Sequence, residues 1–156
     1  MNRARLPDVM VSVAQNRTVS EVLRAIVDGL ASCPDVALAR IWLLGPGDVC
    51  TSCRFRPECP DQTQCLHLAA SAGNPGEPGG DLTQIGGAFR RFPIGVRKIG
   101  RTALSGQPLL LPGLRGDEDW VADPAWFAAA GIKTFAAQPL NFRGQVLGVL
   151  AIFDRG

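Results

Sequence analysis

Four of the five cysteines in this chain, Cys50, Cys53, Cys59 and Cys65, fall within one sixteen-residue stretch with the spacing C-x2-C-x5-C-x5-C. Thiolates are soft ligands, and four on one loop suit tetrahedral zinc or the irons of an iron–sulfur cluster. Pro57 and Pro60 interrupt the stretch, so it cannot run as one regular helix. Zinc sites usually show two close pairs; here only Cys50 and Cys53 are close, which moves weight towards an iron–sulfur cluster and keeps zinc as the alternative. The competing reading is a set of disulfides or unliganded thiols. His67, the single histidine, follows Cys65 by two residues and shares its strand face, so it is either an alternative ligand or a half-buried strand histidine. Cys33 reads as a small buried residue before it reads as a fifth ligand.

The scaffold around this loop is an ordinary domain. The 156 residues suffice for one core, and 46% hydrophobic with 19% charged residues excludes a disordered chain or a coiled coil. A net charge of +2 does not argue for direct nucleic-acid binding. Arg90, Arg91, Arg97, Lys98 and Arg101 gather, and read as the solvated edge of a sheet rather than a phosphate site. No apolar run reaches the length of a membrane span and no secretory pattern opens the chain, so a cytoplasmic location is expected. Such a location disfavours structural disulfides and strengthens the metal reading.

The elements that must position the loop follow in order. Residues 1–17 read as a polar, irregular leader or linker. Thr18-Val-Ser-Glu21 is a capping box, and Val19, Val22, Leu23, Ile26 and Leu30 form one helical stripe that ends at Cys33-Pro34. Val36 to Leu44 is a strand closed by Gly45-Pro46-Gly47, and Cys65 to Ser71 is its neighbour, so the insert at 45–65 springs from two pinned ends. Asn74 to Gly80 is a loop. A strand over Phe89–Ile94, a helix over Ile99–Ser105 capped by Gly106, and a brief strand over Gln107–Leu111 come next. Asp117-Glu118-Asp119 reads as a solvated acidic run. Asp123-Pro124 starts a helix that Gly131 closes. Thr134–Phe142 and Gln145–Phe153 form a hairpin through Arg143-Gly144, with Pro139 expected at a bulge or an unpaired position. Helices interspersed with antiparallel strands indicate an α+β domain with one central sheet.

Three pieces carry a resemblance: Ile99-Gly-Arg-Thr-Ala-Leu-Ser-Gly106-Gln-Pro-Leu-Leu-Leu111, Gly131-Ile-Lys-Thr, and Gln138-Pro-Leu-Asn-Phe-Arg-Gly144-Gln-Val-Leu-Gly148-Val-Leu. In order and spacing they resemble the GAF domain family from Thr18 to Phe153. With the cysteine-rich insert and the Cys65-Leu-His-Leu strand, the chain looks like the N-terminal domain of bacterial enhancer-binding (Fis-type) transcription regulators. The resemblance implies a six-stranded antiparallel sheet with helices packed on one face and a small-molecule pocket on the other, over a sensory domain at 18–156. It also implies a homodimer and an output of ATPase and DNA-binding modules in a longer chain. The Asn-Lys-Phe-Asp-Glu signature of cyclic-nucleotide-binding members is missing.

The function expected from the sequence is a signal-input domain in which Cys50, Cys53, Cys59 and Cys65 hold a redox- or gas-responsive iron–sulfur cluster. The alternative keeps the fold, makes the site structural zinc, and leaves sensing to an apolar pocket lined by residues such as Ile85, Phe89 and Phe92. A thiol-based redox enzyme is a third reading. With one histidine, no acid placed behind it, no phosphate loop and no paired carboxylates, the chain is expected not to be an enzyme.

Overall fold

The computed structural model describes residues 6–15, 18–74 and 81–156. Six strands form one sheet in the order β3-β2-β1-β6-β5-β4, and every neighbouring pair is antiparallel. They are β1 (Val36–Pro46), β2 (Gln64–Gly73), β3 (Arg91–Pro93), β4 (Leu109–Leu111), β5 (Thr134–Phe142) and β6 (Gln145–Asp154). Helices α1 (Leu6–Gln15), α2 (Val19–Ala31), α3 (Arg97–Ser105) and α4 (Pro124–Ala130) complete the α+β fold. The chain is thus the expected six-stranded antiparallel α+β domain.

Alternation along the central strands divides the interior into two layers. Ala39 and Ile41 of β1, Ala70 and Ala72 of β2 and Leu150 and Ile152 of β6 meet Leu23 and Val27 of α2. Trp42 of β1, Leu66 and Leu68 of β2 and Val149 and Ala151 of β6 face the other side, against Ile99 and Ala103 of α3. The α2 stripe works because its start is fixed. Glu21 N–H donates to Thr18 Oγ1 at 3.2 Å and Thr18 N–H to the Glu21 carboxylate at 3.0 Å, the anticipated capping box.

Several boundaries differ from the sequence reading. Residues expected to be an irregular leader include helix α1, whose Val9 packs against Gly29 of α2; residues 1–5 and 16–17 lie outside the described residues. So do residues 75–80 of the anticipated 74–80 loop. The expected helix caps are present, with Gly106 and Gly131 both left-handed at φ 65° and 67° and the Asp123 carboxylate accepting from Trp126 N–H. Arg143 and Gly144 both take positive φ in the β5–β6 turn. Pro139 stays in register opposite Val149, ahead of the β5–β6 shift at Leu140/Asn141, and lies beyond Ala137, the last β5 residue paired with β4. The acidic run is less idle than expected, since the Glu118 carboxylate accepts from Arg115 N–H and Gly116 N–H and holds a turn.

Candidate functional site

The cysteine loop leaves β1 at Pro46 and rejoins the sheet at Gln64, two residues paired across the ladder. Between them the chain makes two single turns of 3-10 helix, Cys50–Ser52 and Arg56–Glu58, the second beginning beside Pro57. All four cysteines line one small cavity of about 20 Å³, together with Arg56 and Arg91. The five cysteines are free thiols. Among the described residues no three of the four loop sulfurs lie within 4.8 Å of one another. A tetrahedral zinc–thiolate site, with Zn–S near 2.3 Å, would hold its sulfurs roughly 3.8 Å apart. The loop therefore gathers the donors around one space without closing them into a tight tetrahedron. As a donor set, four free thiols around one cavity fit a thiolate-bound centre, with the lining charges balanced between Arg56 and Arg91 on one side and Asp48 and Asp61 on the other.

Electrostatics differ around the ring. Burial, reinforced by the Asp48 charge, pushes the Cys65 thiol up to about 11. Asp48 itself is held well below the usual carboxylate range, first by its hydrogen bond from Arg91, at 2.6 Å in the ion pair. His67 lies beside this pair. Asp48, Cys65 and His67 offer donor atoms within 4.8 Å of one another. His67 Nε2 is 2.7 Å from the Pro46 carbonyl, which can only accept, so Nε2 carries the proton and cannot ligate in this arrangement. Cys33 sits in the α2 layer, against Leu23 and Val36, in the core cluster that excludes the loop.

The second site is a cavity of about 210 Å³ on the face opposite α1 and α2. Its walls are Leu38 and Trp42 of β1, Phe92 of β3, Ile99 of α3, Trp120, Trp126 and Phe127 around α4, and Phe135 and Phe153 of the last strands. Several of these rings meet edge to face, as in Trp42 on Phe92 at 5.5 Å and Trp126 on Phe153 at 5.6 Å, while Phe89 stacks on Phe92 at 6.3 Å. Trp42 Nε1–H donates to the Phe89 carbonyl at 3.0 Å, which fixes that indole. Of the three pocket residues expected from sequence, Phe89 and Phe92 line this cavity; Ile85 does not, and stands 53% exposed.

The loop packs behind the cavity wall, although no residue between Pro46 and Gln64 lines the cavity itself. Phe55, between Cys53 and Cys59, is 1% exposed and stacks on Phe92 at 4.6 Å. Arg54 reaches over Phe89 at 4.8 Å and donates to the Ala122 carbonyl at 2.9 Å. Glu58 accepts from Arg97 at 2.7 Å, and Arg97 lines the cavity. The basic cluster is therefore not simply the solvated sheet edge anticipated. Arg91 pairs with Asp48, Arg97 with Glu58, and Lys98 lies over Trp120 at 5.6 Å.

Sequence reasoning missed two residues here. Phe55 was hidden by its setting, a core side chain inside a polar, proline-broken loop. Arg40 had a legible signal: it is the single charged residue in Val36–Leu44, and it lines the cavity from the middle of β1.

A profile described as "GAF domain" matches residues 18–156. None of the curated proteins matches the chain in sequence. Among solved structures, the fold is similar to the nlh2 GAF domain of A. aeolicus in an inactive state, at 18% identity and TM-score 0.64, covering 97% of this chain and 77% of that one. It is similar to the GAF domain of an Acinetobacter phosphoenolpyruvate-protein phosphotransferase, at 14% identity and TM-score 0.62 over 99% and 79% of the two chains. It is also similar to a free methionine-R-sulfoxide reductase of Neisseria meningitidis in complex with its substrate, at 17% identity and TM-score 0.66 over 98% and 72%. That last likeness corrects the expectation that the chain is not an enzyme. The same sheet carries an enzyme that acts on a sulfoxide. The physical reason is that thiol redox chemistry runs on thiolate attack and exchange, so a missing histidine–carboxylate relay does not exclude it.

Proposed function

Because this chain belongs to the GAF domain family, a small-molecule-binding and signalling fold, we propose that it is the signal-input domain of a bacterial transcription regulator. In this reading Cys50, Cys53, Cys59 and Cys65 hold an iron–sulfur cluster whose state sets the order of the loop. The observation that carries the reading is the packing of the loop behind the cavity wall: the loop that holds all four thiols also sets Phe55 on Phe92, Arg54 over Phe89 and Glu58 on Arg97, three residues that line the aromatic cavity.

The chain's own residues supply the mechanism. With the four thiols held together, the loop is pinned at its centre as well as at Pro46 and Gln64, and Phe55 stays seated on Phe92. When the thiols are released, Phe55, Arg54 and Glu58 lose the constraint that holds them against Phe92, Phe89 and Arg97 of the cavity wall. Arg97 then loses its carboxylate partner. Thiol occupancy and cavity occupancy consequently bias one another, and the coupling is reciprocal. A bound cluster would supply an oxygen- and redox-labile link among the thiolates. The transcriptional context rests on the sequence resemblance, as does a homodimer delivering the change to ATPase and DNA-binding modules. No helix among the described residues is long and apolar enough to cross a membrane.

Metal and acid-labile sulfide analysis, with a visible spectrum, on protein purified without oxygen tests the site. The expected outcome is iron and sulfide with a brown colour. Stoichiometric zinc without colour would replace the cluster by a structural clip, which the small volume between the thiols favours, and would leave sensing to the cavity alone. Finding neither iron nor zinc would sink the reading.

A second reading, favoured by the fold shared with a free methionine-R-sulfoxide reductase, is thiol-based reduction. One cysteine thiolate would take the sulfoxide oxygen, and a second thiol would close a disulfide with release of water and the thioether. External thiol would then restore the pair. Steady-state consumption of free methionine-R-sulfoxide with dithiothreitol, lost in Cys50→Ser and Cys53→Ser, is the result this reading requires. Turnover unchanged in both variants would eliminate it.

A further inference from the structure

The walls of the 210 Å³ cavity are apolar, yet its charged residues are three cations and one acid: Arg40, Arg97, Lys98 and Asp123. Asp123 is committed, since its Oδ1 accepts from Trp126 N–H at 3.0 Å as the cap of α4. The cations are under-committed. Arg40 comes from the centre of β1, where its neighbours on the same face are Leu38 and Trp42. Its Nε–H donates to Ser71 Oγ at 3.0 Å, and that is the one hydrogen bond it makes among the described residues. Ser71 is fully buried, and its own hydroxyl proton goes to the Leu82 carbonyl, so it offers Arg40 a dipole and no charge. Burial without a carboxylate partner pulls the Arg40 pKa down to about 10, still cationic at neutral pH. Arg97 adds a second open donor: its Nε is buried and has no partner, although its terminal groups reach Glu58 and the Asp119 carbonyl.

Arg40 is half-buried, and a guanidinium on the rim of an apolar space gains from an anion that meets it there. Size and wall chemistry limit what that anion is. An apolar cavity of about 150 Å³ accepts benzene, so 210 Å³ has room for one ring and a short acidic arm. Three indoles and the phenyl rings around them favour an aromatic body over an aliphatic or sugar-bearing one. Guanidinium forks favour a planar carboxylate. Resting on the reading that this cavity takes a small molecule, we infer that its ligand class is a compact aromatic carboxylate. The ring lies among Trp42, Phe92 and Trp120, and the acid group lies on Arg40 with the Arg97 Nε–H in support.

Calorimetric titration of the chain with phenylacetate and with phenylacetamide, its neutral isostere, tests this. The expected result is saturable binding of phenylacetate at least about tenfold tighter than the amide, the discrimination a charge-assisted hydrogen bond supplies. Arg40→Gln should bring the acid down to the affinity of the amide while amide binding persists, which also shows that the variant is folded. If that variant does not fold, the acid-to-amide ratio of the unaltered chain still decides the question. Equal binding of acid and amide would overturn the carboxylate assignment and leave the small-molecule reading standing. Binding of neither would overturn the assignment and remove support for the cavity as a ligand site.

Discussion

Phe55→Ala is expected to destabilise the domain by about 3–5 kcal/mol, the cost of deleting a buried phenyl and leaving the space behind it. For a chain of this length that is a fall in melting temperature of roughly 10 °C. The size of the effect comes from where the ring sits. It is 1% exposed, stacks on Phe92 at 4.6 Å and 28°, and lies 6.2 Å from Phe89. Phe92 in turn is braced by Trp42, so the surroundings are poorly placed to collapse into the vacated volume. A loop residue would ordinarily be worth a few tenths of a kcal/mol. Thermal or urea unfolding followed by circular dichroism measures the change. A shift of under about 2 °C would mean that the loop contributes no core residue and does not brace the cavity wall.

The second large effect concerns Cys53→Ser. Metal content is expected to fall from stoichiometric to trace amounts, because a hydroxyl is a poor replacement for one of four thiolates around a soft metal. The sheet should survive, since Cys53 packs at the margin of the core layer that Trp42, Phe92 and Val149 dominate. Chelated wild type and the variant should then melt together, both lower than the loaded wild type, because binding free energy is folding free energy for the loop. Cys33→Ser is the control. Cys33 lies in the α2 layer, so its replacement should leave metal content unchanged. Full metal content in Cys53→Ser, measured by elemental analysis, would show the ligand set to be wrong.

These two residues mark what a linear reading can and cannot see. The gathering of the four thiols was legible because residue type and spacing are written in the chain, and the fold places all four around one cavity. The sheet was legible for a related reason: periodicity, capping at Thr18 and Asp123, and glycines at the helix ends are local rules, and here they agree with the tertiary structure. Phe55 was not legible, because its burial depends on where a proline-broken loop lands after folding. The same holds for Ile85, an apolar residue that spacing placed in the pocket and packing leaves outside it. The basic residues from Arg90 to Arg101 were misread because charge in sequence says nothing about partners contributed from 40 positions or so away, such as Asp48 for Arg91 and Glu58 for Arg97. Helix α1 was not anticipated, and its place is set by contact with α2, Val9 lying against Gly29.

The three indoles have an optical consequence. The chain contains three tryptophans and no tyrosine, and Trp42, Trp120 and Trp126 all stand on the wall of one cavity. Nearly all its near-ultraviolet absorption and emission therefore originate where a ligand would sit. A chromophoric centre held by the neighbouring thiols would accept that excitation through space and darken it, whereas zinc would not. Intrinsic fluorescence would thus read two events in one signal: filling of the cavity would shift its colour, and loading of the loop with a chromophoric centre would lower its brightness.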